Sequence, residues 1–238
     1  MADSVVVSPN RPDLRLIAPA WHTVVLLLVL LAFSGMGAYS HHAPGLGQGR
    51  GHAVGYVIVI ASEWLLLAFV WFGVRRYGVR LTDLIGGNWP RWKAIARDLV
   101  IAAAFLLGSN IVLELLALLL HAVPNQAIRN LLPYGSLETA LYLLLALTAG
   151  ICEEIIFRGY LQKQFAAMTR SVVAGLVIQG IVFGVAHGYQ GPKYMFIIAV
   201  YGCLFGLLAH WRHSLRPGIL AHFLQDGTGG ILAKYFLK

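Results

Sequence analysis

Three short runs hold the residue types that could do chemistry in this chain. In the run Gly150-Ile151-Cys152-Glu153-Glu154-Ile155-Ile156-Phe157-Arg158-Gly159-Tyr160, two adjacent glutamates and an arginine interrupt an otherwise apolar stretch. A charged side chain at mid-bilayer costs about 2.5–3.5 kcal/mol even on lenient insertion scales, so such residues mark function by default. On a helix, Glu154 and Arg158 stand at i and i+4 and pair, while Glu153 is turned about 100° away and is left without a local counter-ion. That spacing divides the work: Glu153 reads as a general base, and Glu154 with Arg158 as the scaffold that fixes the helix. The second run, Phe183-Gly184-Val185-Ala186-His187-Gly188, ends an apolar stretch on a histidine. The third, Ala221-His222-Phe223-Leu224-Gln225-Asp226, again sets two polar groups at i and i+4. Asp226 there either orients the His222 imidazole or joins it in pointing hydrogen bonds into a cavity.

The elements that must position these groups are membrane helices. Of 238 residues, 58% are hydrophobic and only 12% charged, against roughly 25% charged in a soluble domain; mean hydropathy is +0.72. This excludes a soluble fold and predicts an all-α polytopic transmembrane bundle of seven to eight spans, near residues 22–39, 54–74, 99–120, 137–156, 171–187, 194–211 and 216–232. Residues 1–21 form an N-terminal segment with no removable signal peptide. Residues 22–135 hold N-terminal spans and a basic connector, 75–98, with room for an interfacial helix. Residues 136–238 hold the core with all three runs. A tight turn near Met168-Thr169-Arg170-Ser171 makes a hairpin in which Glu153 and His187 both lie about 25 Å from the turn, hence level with each other.

The net charge of +8 reflects topology and lipid contact, not nucleic acid. Thirteen Lys and Arg fall on one side, among them Arg75, Arg76, Arg91 and Lys93, against five on the other. That bias predicts a cytoplasmic N-terminus and connector; a bacterial cytoplasmic membrane is the expected location.

Together the runs resemble the CAAX prenyl endopeptidase and bacteriocin-processing intramembrane protease family, the type II CAAX proteases and their immunity-like relatives. The pattern EExxxR, FxxxH, Hxxx(N/D) stands here as Glu153, Glu154 and Arg158, then Phe183 and His187, then His222 and Asp226. The resemblance implies an intramembrane endopeptidase acting on a lipidated or membrane-anchored polypeptide. It assigns Glu153 and His187 to water activation, and His222 with Asp226 to the scissile carbonyl and oxyanion. Glu154, Arg158 and Phe183 would support the site. Asp226 departs from the common Asn: an ionised Asp cannot donate to an oxyanion, so it either carries a proton or orients His222. Two Glu and two His (Glu153, Glu154, His187, His222) would be the ligands of a Zn2+ ion, but no HExxH spacing is present, and the resemblance favours glutamate-activated water with no required cofactor.

Two rivals predict other behaviour. A proton- or ion-coupled transporter would use Glu63 and Glu114, each alone in its span, as a relay. A non-catalytic peptide-binding or immunity protein would function without Glu153. The remaining polar residues read blandly. His41, His42 and His52 belong to a solvated loop, His210 and His213 to an interface, and Cys152 and Cys203 to apolar packing without a disulfide.

Overall fold

The computed structural model describes residues 14–42, 52–87, 91–123 and 132–236, and among these every regular element is helical. The long helices are α1 (Ala20–His42), α2 (His52–Arg75), α4 (Trp92–Leu119), α5 (Gly135–Glu153), α7 (Val172–Ala186), α8 (Pro192–Arg212) and α9 (Arg216–Phe236). A π-helical segment, Glu154–Leu161, and α6 (Gln162–Thr169) extend α5 into one 35-residue rod. Short pieces are α3 (Leu81–Ile85), in the basic connector, and a 3-10 turn, Gly188–Gln190. Five of these segments are long and apolar enough to cross a membrane, with α7 a shorter apolar helix beside them. The expected spans are thus all helical, and the chain is an integral membrane protein.

Several bounds differ from expectation, among them that of the fourth span, which continues past 156 to Thr169. The third span starts at Trp92 rather than 99, so part of the connector is helix. Helix α1 runs through His41 and His42, and His52 opens α2 with Nδ1 3.6 Å from a Glu138 oxygen, so His52 is not a solvated loop residue. Residues 43–51, between them, lie outside the described residues.

The hairpin forms where the sequence places it. Arg170 ends α6 in the left-handed region (φ 54°), and the Ser171 hydroxyl accepts from the Ala174 amide to start α7. Its register is that of arms equidistant from residue 170: the Phe157 and Phe183 rings meet edge to face, centroids 4.9 Å apart.

Inside a bilayer, lipid tails are as apolar as leucine, so helices associate through close packing and polar contacts more than through the hydrophobic effect. Both devices are present. At Gly175 an ideal Cβ would lie 2.5 Å from the Gln162 carbonyl oxygen and 2.7 Å from the Ala166 nitrogen, so α6 and α7 touch backbone to backbone. Buried amides then fasten helices to carbonyls: Gln179 Nε2 donates to Gly202 O (2.8 Å) and Gln162 Nε2 to Gly206 O (3.1 Å). Gln164 donates to Ala18 O and accepts from Ile17 N, holding the start of α1. His22, fully buried in α1, bonds the Tyr160 hydroxyl and Phe69 O, linking α1 and α2 to the π-helical segment. Helix α4 is pinned at one end by buried Asp98, which faces Arg97, Arg212 and Arg216 at 3.4–3.6 Å.

Candidate active site

The site is built around the π-helical segment. Its wide turn is seen where Gln162 N donates five residues back to Phe157 O, and such segments are frequent at functional sites. All eight of its residues are buried. The i,i+4 pair predicted from sequence is present: Arg158 Nη1 donates to Glu154 Oε1 at 2.8 Å, with both side chains fully buried. The Arg158 guanidinium lies between aromatic rings, 4.2 Å from the Phe183 centroid and 4.8 Å from that of Phe205, and its other nitrogen reaches Gly202 O at 3.4 Å. Phe183 therefore packs against the arginine as well as beside His187, 4.7 Å between ring centroids. Gly202 lies ten residues from each end of α8, about 15 Å along the helix axis. The floor of the site thus sits midway along a spanning helix.

Glu154 does more than pair with Arg158. Its Oε1 also meets His222 Nδ1 at 3.1 Å. A carboxylate already held by a guanidinium only accepts, so Nδ1 carries the hydrogen and Nε2 is the nitrogen turned to the remaining groups. Nε2 lies 3.7 Å from Glu153 Oε2 and 3.5 Å from Asp226 Oδ2, beyond good hydrogen-bond distance and so open to a third partner. Glu154 thus holds His222 at Nδ1, while Asp226 stands beside Nε2. The Asp226 side chain is 39% exposed and that of Glu153 14%, against zero for Glu154, so the group opens on the Asp226 side.

His187 closes α7. Its Nδ1 donates to Phe183 O at 2.8 Å, since a carbonyl only accepts, and this leaves Nε2 for other partners. His187 and Glu153 make no hydrogen bond to each other; the second run meets the third through Phe183, whose ring lies 6.2 Å from that of His222, centroid to centroid. The three sequence runs therefore converge on one group of side chains.

Glu153, expected to lack a counter-ion, faces the His222 imidazole across helices. Glu63, read as standing alone in its span, has its Oε2 buried without a hydrogen-bond partner. Glu114, in contrast, is exposed on α4, where Tyr194 is the group its charge acts on. His22 and Tyr189 were also passed over; the Tyr189 ring lies 6.0 Å from that of His187, centroid to centroid.

Of the four residues proposed as zinc ligands, Glu154 has Oε1 occupied by Arg158 and His222, whereas His187 and His222 have only Nδ1 engaged. Among the described residues no three His, Cys, Asp or Glu side chains converge as metal ligands would.

Residues 135–228 match the family model of the type II CAAX prenyl endopeptidase, Rce1-like. The segment begins at the first residue of α5 and ends two residues beyond Asp226 in α9, so it contains all three runs and leaves out Glu63. Searches of curated proteins and of solved structures gave no match. Over residues 135–228, less than half of the chain, the sequence is similar to Rce1-like type II CAAX prenyl endopeptidases.

Proposed function

We propose that this protein hydrolyses a peptide bond of a lipidated or membrane-anchored polypeptide, with Glu153 as the general base and no covalent intermediate. The observation that carries this reading is the single group formed by Glu153, His222 and Asp226, with His222 aimed by a Glu154 that Arg158 holds in place. In the reaction, Glu153 with His187 takes a proton from water as its oxygen bonds to the scissile carbonyl carbon. His222, with Nδ1–H committed to Glu154, donates from a protonated Nε2 to the oxyanion, beside Asp226. Glu153 then returns the proton to the leaving amine. Preorganisation comes from burial: Arg158, Glu154 and Phe183 leave His222 little freedom to turn, so the donor needs little rearrangement as charge develops.

The excess of Lys and Arg at one end of the spans supports a cytoplasmic N-terminus and connector. Arg158 leaves that count, because it is buried in the bundle, but the bias keeps its sign.

The test is incubation of the purified protein with a library of lipidated C-terminal peptides, with and without chelator, followed by mass analysis. The reading predicts defined products that persist with chelator. Absence of products, or their loss with chelator and return with zinc, contradicts it.

A further inference from the structure

Away from the candidate active site, Arg97, Arg212 and Arg216 gather around the buried carboxylate of Asp98. Asp98 Oδ1 lies 3.4 Å from Arg97 Nη2 and 3.6 Å from Arg212 Nη2, and Oδ2 lies 3.4 Å from Arg216 Nε. These pairs are loose beside the 2.8 Å between Arg158 and Glu154, which is the usual length for charged partners. Among the described residues, one carboxylate thus faces three guanidiniums, and Arg212 Nε is buried without a hydrogen-bond partner. Arg212 is the last residue of α8 and Arg216 the first of α9, so the cluster lies where spanning helices end. Exposed tryptophans flank it: Trp211 carries the Arg212 guanidinium 5.4 Å from its ring centroid, and Trp92 opens α4. Tryptophan is enriched at the level of lipid headgroups. Exposed Arg97 also heads a stripe of α4, because Val100, Leu107, Ile111 and Leu115 follow at helical spacing and are exposed as well.

We infer that this cluster binds the phosphate of an anionic phospholipid whose acyl chains lie along the apolar stripe of α4. The planar donor forks of Arg97 and Arg212 suit phosphate oxygens, and Arg216 adds charge behind them. Asp98 sits on the inner side of the cluster: its side chain is 1% exposed, against 53% for Arg97. An anion arriving from the membrane surface therefore meets guanidinium first, while the carboxylate holds three like charges together. The bound lipid ties the sparsely packed α4 to α8 and α9. None of this depends on the proteolytic reading.

The test uses full-length protein, delipidated in detergent and titrated separately with dioleoylphosphatidylglycerol, dioleoylphosphatidylcholine and inorganic phosphate. Ammonium acetate at about 0.5 M shortens the reach of diffuse charge to a few ångströms, and retained lipid is counted by native mass spectrometry beside the melting temperature. One phosphatidylglycerol is expected to bind saturably and raise the melting temperature, with phosphatidylcholine about tenfold weaker or more. Equal retention of the two lipids, or no saturable lipid, overturns the inference. A rise in melting temperature with inorganic phosphate alone, or displacement of the lipid by it, makes this a free-phosphate site and overturns the lipid assignment. Arg97→Gln and Arg212→Gln should each weaken phosphatidylglycerol retention about tenfold or more, the loss of a charge-assisted hydrogen bond. Lys93→Gln removes the same charge from the exposed start of α4 and should stay within about twofold of wild type. An equal loss in Lys93→Gln means attraction to net charge and contradicts a defined site. Should Arg212→Gln fail to fold, the exposed Arg97→Gln and the wild-type titrations decide the matter.

Discussion

The rod formed by α5, the π-helical segment and α6 is half buried, while α4, equally apolar, has only 11% of its spanning window buried. Both look alike to a hydropathy scale, and they do different work. In the rod, polar side chains are held by other helices: Arg158 by Gly202 O, Glu154 by His222, Tyr160 by His22 and Gln162 by Gly206 O. Along α4, rows of exposed leucine and valine face outward, and the helix is pinned at two polar points, Asp98 and the Asn110–Gln225 amide pair. Apolarity puts both segments in the membrane; the first binds other helices through polar atoms along its buried length, the second at two points.

Substitutions that remove this distinction should show the largest effects. Arg158→Leu leaves the Glu154 carboxylate buried without its cation, at a cost of about 3–5 kcal/mol. The expected outcome is a protein that is poorly folded in detergent and inactive, checked by thermal melting and size exclusion; a stable, active variant would break the contrast. Gly175→Leu forces a side chain against the backbone of α6 and should cost about 1–3 kcal/mol by overpacking, read as a drop in melting temperature. Asp98→Asn removes the charge facing three guanidiniums and should destabilise the attachment of α4 by about 1–3 kcal/mol, seen as earlier proteolytic nicking around α4. Leu115→Ala, on the lipid-facing side of α4, should change stability by about 0.5 kcal/mol or less; a cost near that of Gly175→Leu would mean that α4 is packed against something after all.

Features set by local spacing were legible in the sequence, and features set by helix rotation were not. The i,i+4 pairing of Glu154 with Arg158 and the turn at Arg170 each depend on a few neighbouring residues, and both were read correctly. The Phe157–Phe183 contact follows from the turn and the helical rise alone. Which face of α9 meets α5 is another matter. The spanning helices are apolar on nearly all sides, so no polar stripe reveals their rotation. For this reason the contact of Glu154 with His222 was missed. The early start of α4 at Trp92 and the π-helical turn were hidden for a related reason, because polar residues just outside a span and a change from four- to five-residue hydrogen bonding leave hydropathy unaltered.

The most direct test of the central claim is the cleavage rate of Glu153→Gln measured beside its melting temperature. Replacing the carboxylate with an isosteric amide removes the base and leaves the helix contacts in place. The account predicts a fall of about a hundredfold or more in kcat, with the melting temperature held close to that of the wild type. A variant that still cleaves at the wild-type rate would remove Glu153 from the role of base and contradict the account.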